Sequence, residues 1–460
     1  MVTRRMFRRL AGAMALSAAL LTSPSAADAG IVSETSKKGS VLGIDLEVKS
    51  FALDNGLRVF VVEDHSTPMF AFHLAYRVGA RDEKTGRTGF AHFFEHMMYK
   101  GSENVPDGGH FKHVLGVGGE LNAFTTADST EYFETVPSHY LDMVLWLEAD
   151  RMKSLAVTEE NFENQRNAVL EEMAQRVDNV PYQRAIREFF ADVWAGTGYG
   201  HMTIGTKEDL NAATASDVKS FFNEHYVPNN AVIAIVGDVD YPEIKRKIDQ
   251  YFSSVPRGPE PGKHKAIDHS QTKPFERRVE DKLARQALYL LGWKTVPSSH
   301  PDRHAVEVLM NVLLRGESSR LTKTLKDERR LVVASIPVPN VGSGEDAGSA
   351  SGAFIPTPGK TLADIKPVVK EIVAEIKSEG ISSKELQKAI NQLTVDTVTG
   401  MSTNSGRAAR IAKGVMFHDD PTFELSELEK YQKVTTGDVK RVANEYLTDN
   451  WLVLQVEPAK

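Results

Sequence analysis

The segment His92-Phe93-Phe94-Glu95-His96 carries two imidazoles four residues apart with a carboxylate between them. On an α-helix turning about 100° per residue, positions 92, 95 and 96 fall within an arc of roughly 100°. Both rings can then grip one metal ion while Glu95 points at the same place, and Phe93 and Phe94 are left to pack into a core. The order is the reverse of the H-E-x-x-H helix, and the reversed form is itself a zinc peptidase pattern. The chain has no cysteine, so a metal must be held by nitrogen and oxygen, a donor set that suits zinc. A catalytic zinc usually has three protein ligands and a water. The missing ligand is expected to be a carboxylate from another element, and Gln165-Arg166-Asn167-Ala168-Val169-Leu170-Glu171-Glu172 offers one. Water acidified at such a site, towards a pKa of about 7, would give its proton to Glu95 and attack a peptide carbonyl.

The elements that must position these residues are legible in outline. Gly56 to Val62 and Phe70 to Val78 read as strands, and Gly86 and Gly89 break the chain before a helix holding Phe90 to Met98. Leu121 to Thr126 and Thr130 to Val136 are rich in β-formers, whereas Tyr140 to Met152 and Glu159 to Asp178 have helical spacing. Interleaved strands and helices predict an α+β fold, with helices packed on a sheet.

At 460 residues the chain is too long for one ordinary core. Pro256-Arg257-Gly258-Pro259-Glu260-Pro261-Gly262 and the polar run to Lys273 read as a linker. The flanking halves, 30–255 and 274–460, echo each other. Asp217-Val218-Lys219 with Asn223-Glu224 returns as Asp438-Val439-Lys440 with Asn444-Glu445, five identities at one constant offset, 438 minus 217. In each copy a helical pattern leads into an apolar strand, Ala231 to Val236 and Trp451 to Val456. Duplication of an α/β domain is the expectation.

The runs Gly79-Ala80-Arg81-Asp82-Glu83 and Gly89 to Ser102, which contains the H-x-x-E-H string, resemble the pitrilysin or insulinase family, processing peptidases included. Gly118-Gly119-Glu120-Leu121-Asn122-Ala123-Phe124-Thr125 matches a second block of that family, and Arg166 to Glu172 a third. The resemblance spans nearly all of the chain after residue 29. It implies a zinc endopeptidase with two homologous α/β domains per chain, each a mainly antiparallel sheet with helices on it, forming half of a clam-shell chamber. It also selects Glu172 over Glu171, because the family's third ligand lies about 76 positions beyond the second histidine, as Glu172 does beyond His96. Asn122, Ala123 and Phe124 are the implied substrate contacts, on a strand edge to which an extended peptide adds by backbone hydrogen bonds.

Two departures from the family pattern stand out. Gln165 replaces a glutamate usual seven positions before the ligand, where partners orient metal ligands. Lys326 and Val333 stand where active members have an arginine and a tyrosine that contact substrate, and valine supplies no phenol. A paralogous subunit that keeps the arginine-tyrosine pair would complete the site in a heterodimer; a homodimer is the alternative.

Other histidines and arginines read as structural: His110 and His113 at an exposed helix start, His201 in a glycine-rich loop, His225 on the repeated helix, and Arg407 and Arg410 on a solvated face. A net charge of -7 offers no basic excess for nucleic acid. Arg4, Arg5, Arg8 and Arg9, the apolar run Leu10 to Leu21 and Ala27-Asp28-Ala29 form an export signal over residues 1–29. Thr3-Arg4-Arg5-Met6-Phe7 also resembles a twin-arginine signal. A periplasmic or secreted protein starting near Gly30, with no later membrane span, is expected. The competing reading is a non-catalytic homologue with a structural or partner-organising role.

Overall fold

A run in which every residue is buried marks a strand covered on both faces, and Ala231–Gly237 is such a run. The computed structural model describes residues 30–41, 44–262, 264, 267–268, 270–340 and 344–459; the export signal expected over 1–29 lies outside them. The described strands are β1 (Ile31–Val41), β2 (Ile44–Leu53), β3 (Arg58–Glu63), β4 (Met69–Tyr76), β5 (Glu120–Thr125), β6 (Thr130–Pro137) and β7 (Ala231–Gly237), followed by β8 (Phe275–Asp281), β9 (Leu288–Thr295), β10 (Val332–Asn340), β11 (Gly348–Pro356) and β12 (Leu452–Pro458).

They form a seven-stranded sheet, β1-β2-β3-β7-β4-β6-β5, and a five-stranded sheet, β10-β11-β9-β12-β8. Pairing is antiparallel except for β3 with β7 and β12 with β8. The second sheet, read backwards, repeats the order β3-β7-β4-β6-β5 strand for strand. The repeated sequence block falls on matching elements, helix Ala215–His225 before β7 and helix Thr436–Tyr446 before β12. Both helices begin with the same capping box, Thr214 with Asp217 and Thr435 with Asp438. The two halves are thus one topology twice, with the β1–β2 hairpin added to the first. That hairpin is not foreshadowed in the sequence reading: Ile31–Val41 is polar and mostly exposed, so no alternation betrays it.

Alternating residues of each central strand enter different cores. Val59, Phe72 and Ile233 face one core with the helices that carry Phe93, Leu145 and Val169. Phe60, Ala71 and Val232 face the other way, onto Ala408, Ile411 and Val415 of helix Asn404–His418, which comes from the second half. The reverse holds in the second sheet. Tyr289, Leu291 and Val453 pack on second-half helices, while Leu288, Leu290 and Leu454 pack on Ala185, Phe189 and Val193 of helix Gln183–Val193, from the first half. Asn404 stands as far beyond Gln183 as Asp438 does beyond Asp217, so these two helices are themselves repeats, exchanged between halves. Each apolar side chain so buried contributes about 1.5–3 kcal/mol.

The exchange corrects the reading of Arg407 as part of a solvated face. Its guanidinium is half-buried and bonds Asp64 at 2.6 Å, tying the exchanged helix to the first half. Arg410, also half-buried, lies 3.9 Å from Glu424. Phe189→Ala is expected to cost about 3–5 kcal/mol. Although residue 189 belongs to the first half, the loss is expected in the unfolding of the second core, followed through Trp293 and Trp451, which pack against each other at 4.5 Å.

Candidate metal centre

Helix Phe90–Met97 opens at Gly89, whose φ of +92° suits glycine. A β-carbon there would also lie 2.7 Å from the Ile204 carbonyl oxygen. The first helical N–H groups have no partner within a helix, and Glu83 accepts two of this end's N–H bonds, from Gly89 at 2.7 Å and Ala91 at 2.8 Å. Phe93, Phe94 and Met97 are buried and fix the rotation of the helix, while His92, Glu95 and His96 stay half-buried on the opposite side. Tyr132 of β6 donates its hydroxyl to the Phe94 carbonyl at 3.1 Å, pinning the helix to the sheet.

Helix Glu159–Met173 supplies the third group. Its buried stripe is Phe162, Gln165, Val169 and Met173, and Phe93 packs on Phe162. Glu172 Oε2 lies 3.6 Å from His92 Nε2 and 3.1 Å from His96 Nε2. Ligand atoms at 2.0–2.1 Å from a tetrahedral zinc stand roughly 3.3–3.4 Å apart, so the separations bracket the value a zinc would impose. The three residues also form a group whose ligand atoms all lie within 4.8 Å of one another. Protonation agrees with the geometry. Burial, with His96 beside it, pulls the His92 imidazole down to about 4, leaving it neutral with a lone pair to give. The hydrogen bond from His96 and the nearby charges hold the Glu172 carboxyl below its ordinary range. The donor set fits zinc.

Glu171 goes elsewhere: it is exposed and accepts from Gln175 at 2.7 Å. Arg176, one turn past Glu172, holds its other oxygen, Oε1, at 2.7 Å. Gln165 is buried on the face of Glu172, two turns earlier. His92 Nδ1 is buried with no hydrogen-bond partner among the described residues. Glu95 is pushed up by burial and pulled down by Thr125, whose Oγ1 donates to Glu95 Oε2 at 2.7 Å.

Thr125 ends β5, the last strand of its sheet, so the outer side of β5 is a free edge. Along it Asn122 and Phe124 are exposed and Ala123 half-buried. The Ala123 N–H donates to the Asn122 side chain at 2.9 Å, a local substitute for a strand partner. The matching edge of the second sheet, β10, differs. Pro337 and Pro339 have no N–H, yet its register with β11 runs unbroken through both, so the missing donors fall on the free side and blunt that edge.

Sequence reasoning brought His92, Glu95, His96 and Glu172 together and put Asn122 to Phe124 on the adjoining edge. It missed Glu83, Thr125 and Arg176. Arg176 follows the i, i+4 rule for charged pairs on a helix; no spacing rule reaches the other two. Lys326 is half-buried and paired with Glu317 at 2.8 Å, and Val333 is exposed on β10. Neither bonds to the metal-centre residues among the described residues. His110 is a correction: it is fully buried, with its ring edge-on to Tyr99, and burial pushes it down to about 2. His113, half-buried, packs on Trp146, His201 lies 3.7 Å from Glu83, and His225 packs on Phe221.

Known proteins resemble this chain along most of its length. Residues 58–207 match the family model described as Insulinase (Peptidase family M16), and residues 212–393 match the Peptidase M16 inactive domain. The zinc protease PqqE of Helicobacter pylori is 29% identical over 419 residues, covering 87% of this chain and 90% of that protein. An uncharacterized zinc protease of Streptomyces coelicolor is 26% identical over 410 residues, covering 87% of each. A solved protease from Helicobacter pylori superposes with a TM-score of 0.83 at 27% identity, over 89% of this chain and 99% of that one. Pitrilysin shares the fold, with a TM-score of 0.74 at 19% identity, over 93% of this chain but 46% of its own. With both halves matched in order and relatives aligned along nearly their whole length, the chain belongs to the insulinase family of peptidases, family M16.

Proposed function

We propose that the protein is a zinc-dependent endopeptidase acting on peptides or unfolded segments bound in extended form, with His92, His96 and Glu172 holding one zinc and Glu95 as general base. The observation that carries this reading is the convergence of three ligand atoms, with Glu172 at separations from both imidazoles suited to zinc, beside a carboxylate that is not one of them. Bound zinc supplies Lewis acidity towards water and the scissile carbonyl. The chain's residues do the rest. A peptide laid along β5 pairs its backbone with the free edge at Asn122, Ala123 and Phe124. Glu95, whose Oε2 is held by Thr125, takes the proton of the attacking water on Oε1 and passes it to the leaving amine. Beyond Thr126 lies a cavity of about 390 Å³ whose wall is mixed, with Ile186, Phe190 and Trp194 beside Asp128, Arg187 and His201, and it offers room for a substrate side chain.

Metal analysis and an oligopeptide assay test the reading together. One zinc per chain is expected, with activity abolished by a chelator and restored by zinc. A protein that binds no zinc and cleaves nothing would instead be a structural homologue. Export is part of the proposal, supported by the basic, apolar and small-residue segments of residues 1–29. Cell fractionation that found the protein in the cytoplasm with those residues retained would remove that part.

Lys326, engaged by Glu317, and the exposed Val333 favour a second subunit that supplies the arginine and tyrosine which the family resemblance leads one to expect opposite the metal. A peptide held on one edge alone is poorly positioned, and misplacement by about 1 Å costs roughly 100-fold. The expected outcome is weak turnover by the isolated chain and a rise of that order with the co-expressed paralogue. Full activity from the isolated chain, unchanged by the partner, would discard the heterodimer and leave the zinc assignment standing.

A further inference from the structure

We propose that Thr125 is a positioning residue for the base: its hydroxyl fixes the Glu95 carboxylate and ties it to the strand edge that receives the peptide. This rests on the reading of Glu95 as the general base. The Thr125 bond, 2.7 Å from Oγ1 to Oε2, is the hydrogen bond that the Glu95 carboxylate makes among the described residues. It commits one oxygen and leaves the other to accept a proton.

The threonine is itself held with little freedom. Its side chain lies on the half-buried face of β5, in line with Leu121 and Ala123, which pack on the first core. Its backbone pairs with Thr130 across the hairpin. The turn that follows is closed by Thr126 N to Ser129 O at 2.8 Å and by Ser129 N to Thr126 Oγ1 at 2.9 Å. Ala80 N and Arg81 N donate to the carbonyls of Thr126 and Ala127 at 3.1 and 2.9 Å. That approach requires glycine at 79, where a β-carbon would lie 2.4 Å from the Ala127 carbonyl. Asp128 then binds Arg81 at 2.7 Å and accepts the Glu345 N–H of the second half at 3.1 Å. The aim of the base is therefore set by a hairpin anchored to both halves, and a peptide paired with β5 and the carboxylate that serves it share one frame.

Thr125→Val keeps the shape and β-branching and removes the donor; Thr125→Ser keeps the donor. In the zinc-loaded enzyme, Thr125→Val is expected to lower kcat by about ten- to a hundredfold. KM is expected to stay within about twofold, since the interaction is not with substrate. Zinc content stays that of the parent, Thr125→Ser returns most of kcat, and a crystal structure of the valine variant shows the Glu95 carboxylate rotated. Unchanged kcat in Thr125→Val, with Glu95→Gln inactive, overturns this inference alone, as does a change confined to KM. Normal turnover in Glu95→Gln removes the base assignment and this inference with it.

Discussion

Glu95→Gln is expected to retain its zinc and lose on the order of 10²–10⁴-fold in kcat, the range set by removing a general base. Retention follows from the geometry, because His92, His96 and Glu172 are untouched and their ligand atoms converge without Glu95. The fold is also indifferent to the change. The amide is nearly isosteric, its oxygen can still accept the Thr125 hydroxyl, and the buried Phe93, Phe94 and Met97 continue to set the helix. What disappears is a proton acceptor. Turnover and metal content measured on the same preparation decide the matter, and near-normal turnover with zinc present would overturn the role given to Glu95.

Glu172→Gln is expected to strip the metal, and Glu171→Gln to leave it bound. Neighbouring helical side chains point about 100° apart, and here one faces both imidazoles while the other is exposed beside Gln175. Arg176→Ala supplies the intermediate case, removing only the partner of Glu172 Oε1. Loss of such an outer partner typically weakens metal binding by roughly 10–100-fold. The expected order of zinc affinity is Glu171→Gln, then Arg176→Ala, then Glu172→Gln, read by titration against a competing chelator. Zinc loss that followed Glu171 instead would move the third ligand by one residue and undo the assignment on this helix.

The candidate metal centre was legible because two of its proposed ligands, His92 and His96, obey a local rule: side chains four apart on a helix share a face whatever surrounds them. Glu172 needed more, since helical spacing alone offers both Glu171 and Glu172, and the family spacing chose between them. Thr125 and Glu83 lie outside such rules, because their contacts are made by a hairpin and a loop whose course depends on the whole sheet. His110 looked like a surface residue beside two glycines, yet its helix turns that ring inward against Tyr99. The exchanged helices escaped for a different reason. An amphipathic stripe says that a helix covers something apolar, not which sheet it covers, so Ile411 and Phe189 read the same on either half. Pattern also hid Arg407, a polar residue that bonds across the halves.

The helix exchange bears on how such a chain arose and how it can be cut. One repeat standing alone would have a bare sheet face and a helix with nothing to cover, and two identical copies would answer both needs by a twofold symmetric embrace. A single-repeat ancestor would have met both needs as a dimer, and joining its two copies in one chain would have made that pairing permanent. The same logic applies to the present protein: fragments 30–262 and 263–460 made separately would each lack a wall and would tend to aggregate. Made together, they would find each other and rebuild both cores without any peptide bond between them.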